Sequence, residues 1–137
     1  MKINSVAVIG TGFIGTVHIE AVRRTGNHVK GVMAGSLESS KSGAAKNKVA
    51  VAYQNIDEIC SDTDITVVHV TSPNALHFEQ VTKLMAAGKH VICEKPLALN
   101  AKEGKQLAEL AVKHNLVNAL CFNTRFYPMV HEGAAQV

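Results

Sequence analysis

Four short segments hold residue types that could do chemistry together. The first is Gly10-Thr11-Gly12-Phe13-Ile14-Gly15, which follows the apolar run Val6–Ile9. Glycines at this spacing have separate tasks. Gly10 permits a tight turn, Gly12 lets the backbone approach a pyrophosphate, and Gly15 lets the next helix pack closely on the strand. The unpaired N–H groups at that helix's start then present a positive dipole end to phosphate. The motif alone is weak. A strand before it and a helix after it, in the first βαβ unit of the chain, make it a dinucleotide site rather than a structural turn.

The second segment is Thr71-Ser72-Pro73-Asn74-Ala75-Leu76-His77. Pro73 ends a strand, and Ser72 or Asn74 can cap the helix that follows while neighbouring residues face a ligand. Read alone, His77 is an ordinary packed or surface histidine. The third, Glu94-Lys95-Pro96, puts a charged pair directly after the apolar run Val91-Ile92-Cys93. A lysine there can hold a substrate oxygen or titrate differently on partial burial. Pro96 fixes the backbone and admits a cis bond. The fourth is Asn123-Thr124-Arg125-Phe126-Tyr127-Pro128. Its Asn and Arg suit a polyol or carboxylate, or serve only as a polar cap and a surface arginine.

The elements that position these segments follow from periodicity. Strands are predicted at Ser5–Ile9, His28–Met33, Ala50–Tyr53, Ile65–Thr71, His90–Cys93 and Val117–Phe122. The runs Val6–Ile9 and Val67–Val70 are nearly continuous in apolar residues, as in parallel strands covered on both faces. Helical faces are read at Ile14, Val17, Ala21 and Val22, then at Ala75, Phe78, Val81, Thr82 and Met85. A further one comprises Leu107, Leu110, Ala111 and His114, preceded by a capping box at Asn100 and Glu103. Strand–helix alternation with short connections predicts an α/β, doubly wound parallel sheet of the Rossmann dinucleotide-binding kind. Ligands of such sheets sit beyond the carboxyl ends of the strands. All four segments lie there.

The position that reads the adenosine ribose is Met33-Ala34-Gly35-Ser36, with no acid before Glu38. A 2′-phosphate would meet no carboxylate and could accept from Ser36, yet only Lys41 and Lys46 are near. NAD and NADP both remain open. The 137 residues suit one domain, and a net charge of +3 from scattered lysines gives no nucleic-acid surface. No apolar run reaches the roughly 20 residues needed to span a bilayer. Three cysteines, with no CxxC pair and no metal-ligand spacing, indicate a reducing, cytoplasmic setting without a structural disulfide or metal.

In order and spacing, GTGFIGTVH, TSPNALH, AAGKHVICEKPLALN and NTRFYPMV resemble the N-terminal domain of the Gfo/Idh/MocA (glucose–fructose oxidoreductase/inositol dehydrogenase) family. The resemblance covers essentially the whole chain, and EKPLALN is its most specific element. It implies an NAD- or NADP-dependent oxidoreductase of sugars, polyols and related small molecules. It gives the pyrophosphate to Gly10, Gly12 and Gly15, with backbone contacts from Phe13 and Ile14. Ala34, Ser36, Thr71, Ser72, Pro73, Asn74, His77 and Asn123 become cofactor-lining residues. Glu94 and Lys95 become the nicotinamide edge, Lys95 touching substrate as the catalytic candidate and Arg125 lining the same cleft.

Two departures stand out. The ribose position lacks the acid or Ser-Arg pair often seen in the family. Family members also continue into a second domain that supplies most of the substrate pocket and the proton-moving residue. Residues 1–125 are therefore expected to be the NAD(P)-binding domain and 126–137 the start of the connection to that second domain. Alone, the chain is expected to be inactive, with Phe126, Tyr127, Met129 and Val130 exposed and open to self-association into a homo-oligomer. A catalytically silent or redox-sensing nucleotide module is the rival reading, and a domain for S-adenosylmethionine a third.

Overall fold

The computed structural model describes residues 4–136. Six strands, β1 (Ser5–Ile9), β2 (His28–Met33), β3 (Val51–Tyr53), β4 (Val67–Val70), β5 (His90–Glu94) and β6 (Asn118–Cys121), form one sheet in the order β3-β2-β1-β4-β5-β6. Every pairing is parallel. The strand order reverses between β1 and β4, which opens a crevice at their carboxyl ends where dinucleotides cross.

The helices are α1 (Phe13–Arg24), α2 (Leu37–Lys46), α3 (Ile56–Ser61), α4 (His77–Ala86), α5 (Ala101–Lys113) and α6 (Pro128–Ala135), with single 3₁₀ turns at Asn74–Leu76 and Asn123–Phe126. Two cores sandwich the sheet. On one face Ala7, Ile9, Val68, Val70, Val91 and Cys93 pack with Val81 and Leu84 of α4 and Leu107 and Ala111 of α5. On the other, Val6, Val8, Val29 and Val32 pack with Ile19 and Val22 of α1 and Ala44 of α2. This double coverage is why β1 shows no polar alternation. Among the described residues, no helix is long and apolar enough to cross a membrane.

Several elements differ from the sequence expectation in instructive ways. The buried face of α1 is Gly15, His18, Ile19 and Val22, not Ile14, Val17 and Ala21, which are exposed. Gly15 must face the sheet, and its phase drags the helix's i+3, i+4 and i+7 positions inward with it. The expected cap on α4 is absent: neither Ser72 nor Asn74 accepts from its first N–H groups, because a 3₁₀ turn starting at Asn74 leads into it. Conversely β5 runs one residue past Cys93, so Glu94 is in the ladder opposite Cys121.

The capping box holds with a shift. Asn100 Oδ1 accepts from Glu103 N at 3.0 Å, while Glu103 reaches back to Leu99 N rather than to Asn100 N. The same arrangement starts α3, where Asn55 caps Glu58 N and Glu58 accepts from Gln54 N. Helix α5 covers the sheet beneath the Glu94–Pro96 segment, so its start sets that loop's exit. Asn100→Ala is expected to lower stability by about 1 kcal/mol, read as the urea midpoint, since Glu103 N and Glu103 Oε1 both lose their side-chain partner.

Candidate functional site

At the β1/β4 reversal lies a cleft of about 610 Å³ lined by Gly10, Thr11, Gly12, Phe13, Ile14, Met33, Ala34, Gly35, Thr71, Ser72, Pro73, Leu76 and Gln80. Its size suits a small-molecule or cofactor site. The turn at its floor is held from both sides. Gly10 N donates to Met33 O at 2.8 Å, and the Thr71 hydroxyl lies 2.9 Å from Ile9 O and 3.0 Å from Gly10 O. Gly10 has φ +97°, and a side chain there would also run into Thr71 O, 2.5 Å away. A methyl on Gly15 would collide with the Gly10 carbonyl, whereas one on Gly12 would meet nothing within 4 Å. One glycine closes the turn, and another leaves it open towards the cleft.

Gly12 is the residue before α1, and no side chain caps that helix start. Its first N–H groups are thus left to a ligand, with no acid in the first turn to repel an anion. The turn therefore fits a pyrophosphate by its own geometry. Phe13 is exposed, in keeping with a backbone rather than a side-chain contribution at that position.

Of the other expected site residues, Ala34, Thr71, Ser72 and Pro73 line this cleft, whereas Ser36, Asn74, His77, Glu94, Lys95, Asn123 and Arg125 do not. Ala34 lines it, but its N–H is already given to Ser40 Oγ at 2.8 Å. Ser36 does not line it: its hydroxyl caps α2, accepting from Ser39 N and donating to Ser39 Oγ. Ser72 donates to Gln80 Oε1 at 2.6 Å, a partner that no sequence motif announced. Asn74, Lys95, Asn123 and Arg125 are exposed beyond the carboxyl ends of β4, β5 and β6. The Lys95–Pro96 bond is cis.

His77 requires a correction, being fully buried rather than facing a ligand. Its Nδ1 lies 2.7 Å from Pro96 O and its Nε2 2.8 Å from Ser72 O. The ring is a brace between the loops that follow β4 and β5. Its position on the first turn of α4, under both loops, removes it from the cleft surface.

A second polar cluster lies behind Glu94, and sequence reasoning missed it. His18 of α1 approaches Glu94 Oε1 with Nε2 at 3.2 Å and His69 of β4 with Nδ1 at 2.9 Å, Nδ1 to Nδ1. The His18 and His69 rings meet edge to face. Cys121 Sγ forms with His18 and Glu94 a group whose ligand atoms lie within 4.8 Å of one another, and Lys95 N donates to Glu94 Oε2 at 3.2 Å. The members are 51 and 76 residues from His18 in sequence, so no local spacing could reveal them.

The electrostatics of this group favour one arrangement of protons. Burial by itself would raise the Glu94 carboxyl, but the Cys121 and His18 side chains and the Lys95 N–H outweigh it and hold it below its usual range. An ionised carboxylate only accepts, so His18 donates to it from Nε2, and its Nδ1 shares a hydrogen bond with His69 Nδ1. Burial, with His18 adding to it, pushes His69 down to about 4. The thiols are inert for the same reason: burial drives Cys93 up to about 12 and raises Cys121 as well.

The family model described as "Oxidoreductase family, NAD-binding Rossmann fold" matches residues 4–121. The chain is 34% identical over 127 residues to the scyllo-inositol 2-dehydrogenase (NADP(+)) IolU of Bacillus subtilis, covering 92% of this chain and 39% of that protein. It is 34% identical over 109 residues to the 1,5-anhydro-D-fructose reductase of Ensifer adhaerens, covering 74% and 33%. Among solved structures, an NAD binding oxidoreductase from Klebsiella pneumoniae superposes with TM-score 0.88 at 32% identity, over 93% of this chain and 36% of that one. Levoglucosan dehydrogenase in complex with NADH and levoglucosan gives 0.85 at 30% identity, over 90% and 36%. The chain spans about a third of the length of the curated relatives it matches.

Buried neutral His69 has a measurable signature. Its native value near 4 lies below the 6.5 of an unfolded histidine, so on acidification the unfolded chain takes up the proton first. Its contribution is full above about pH 6.5 and is lost as the pH falls towards 4. Urea unfolding from pH 7 to pH 4 should show a loss of roughly 2 kcal/mol, and His69→Gln, which keeps a hydrogen-bonding amide beside His18 but does not titrate, should flatten most of that slope.

Proposed function

This chain belongs to the Gfo/Idh/MocA oxidoreductase family, as an NAD(P)-binding Rossmann domain, and from that premise we propose that it serves hydride transfer between the nicotinamide and a sugar, polyol or related small molecule. The observation that carries this reading is the pair of glycines in one turn. Gly15 can only be glycine because of the protein's own backbone, while Gly12 opposes nothing but the cleft. A pyrophosphate over Gly12 would accept from the free N–H groups of α1. The adenosine half then extends past Ala34 towards β2, and the nicotinamide half crosses the reversal towards β4 and β5.

On that side the chain offers Thr71, Ser72 and Pro73 along the cleft, and the neighbouring strand β5 ends at Glu94 with Lys95 directly after it. The nicotinamide supplies hydride exchange when bound. Lys95, exposed and free to reach outward, holds a substrate oxygen by charge and hydrogen bonding, with Arg125 and Asn123 on the flank of the same opening. Residues 126–137 begin the connection to a second domain that closes the pocket. In this reading such a domain brings the group that moves the hydroxyl proton.

Ser36 spends its hydroxyl on the helix cap, and no acid precedes Glu38 to read a 2′-hydroxyl. The ribose end therefore accepts either dinucleotide without a dedicated contact, so affinities for NAD and NADP should be close.

Calorimetry on the chain should give saturable binding of NAD(H) or NADP(H). Gly12→Ala should keep unfolding stability within about 0.5 kcal/mol, since φ −71° suits alanine, and weaken dinucleotide affinity about tenfold or more by placing a methyl where phosphate sits. Gly15→Ala should lose stability as well. Absence of binding by all four forms, or binding of S-adenosylmethionine in their place, would overturn the reading.

A further inference from the structure

The His18–His69–Glu94 chain has no place in the reading above, and its position gives it one. His18 belongs to α1, the helix whose start faces the phosphate turn, yet its ring leaves the turn and reaches the last residue of β5. Two of the three members are buried, and Glu94's side chain keeps only 16% of its surface open. With Glu94 ionised, both of its oxygens accept. His18 donates to one oxygen from Nε2, Lys95 N–H takes the other, and the far nitrogen of the His18 ring is hydrogen-bonded to His69 Nδ1.

We propose that His18 is a positioning residue that, braced by His69, holds the Glu94 carboxylate fixed at the nicotinamide end of the cleft. The proposal rests on the dinucleotide reading and adds a link between its halves. The helix that takes the pyrophosphate also fixes the charge at the other end of the site. A carboxylate held there attracts the cationic ring of the oxidised cofactor and does nothing for the adenosine diphosphate portion. Without His18, Glu94 loses its one side-chain nitrogen donor among the described residues and keeps only Lys95 N–H and the Cys121 thiol to orient it.

The geometry also explains why histidine suits position 18. The link needs two hydrogen-bonding nitrogens on opposite edges of one rigid ring, 3.2 Å from a carboxylate oxygen and 2.9 Å from a second imidazole. Glutamine can reproduce the donor to Glu94 but spans the gap to His69 only with a flexible amide. An alanine leaves both partners unmet, with His69 buried.

The test compares NAD+ with ADP-ribose, which shares every group of the dinucleotide except the nicotinamide ring. In titrations of the purified chain, His18→Ala is expected to weaken NAD+ binding about tenfold while ADP-ribose stays within about twofold. His18→Gln should recover most of the loss, Glu94→Gln should match His18→Ala, and combining Glu94→Gln with His18→Ala should add little further. Equal losses for NAD+ and ADP-ribose would make His18 merely structural and overturn the proposal, as would no loss for either or full additivity in the double variant. Wild-type chain that binds neither ligand would instead overturn the dinucleotide reading itself. If His18→Ala does not fold, His18→Gln and Glu94→Gln carry the same comparison, and unequal effects on the two ligands remain the required result.

Discussion

Everything in the cleft depends on how closely the backbone at Gly10 approaches its neighbours. Thr71 spans the β1/β4 reversal with its hydroxyl on two successive carbonyls, and Gly15 presses α1 against the same carbonyl from the other side. No side chain fits between them. This contact sets the distance of α1 from the sheet, the rotation of that helix, and the direction of its free N–H groups. The rotation in turn carries His18 inward. A phosphate site and a buried histidine chain are thus two results of a single steric constraint.

Much of this was legible in the sequence because its signals were local. The glycine spacing, the β-branched runs and the Asn100–Glu103 box each lie within a few residues, and periodicity placed six strands to within a residue or two of where they run. The carboxyl edge followed from topology rules once the parallel sheet was inferred. What stayed hidden was long-range. Nothing near His69 indicates that it will face His18, and an apolar count treats both as interruptions. The helical face of α1 was misread for this reason: Ile14 and Val17 look like core, but the glycine contact decides the phase and a histidine fills the buried position.

Hydroxyl groups tell a similar story. Ser36 and Ser72 each look available for a ligand when read along the chain. In the fold one is committed to the α2 cap and the other to Gln80, eight residues away on α4. A polar side chain at the mouth of a site contributes only what its protein partners leave over. Lys95, Asn123 and Arg125 are exposed at the edge of β5 and β6, where neighbouring apolar side chains such as Phe126 and Met129 are also uncovered. Polar and apolar groups are thus uncovered together at one edge.

The brace at His77 reaches further than its own contacts. With one ring nitrogen on Ser72 O and the other on Pro96 O, the loops after β4 and β5 share a single post. They are therefore one module for the purposes of inheritance and engineering. Transplanting either loop from a relative without the histidine and its opposite carbonyl would leave an imidazole buried against nothing. Chimeras that exchange the two loops together with the first turn of α4 keep the post intact, and that is the unit in which diversity at this edge can be traded.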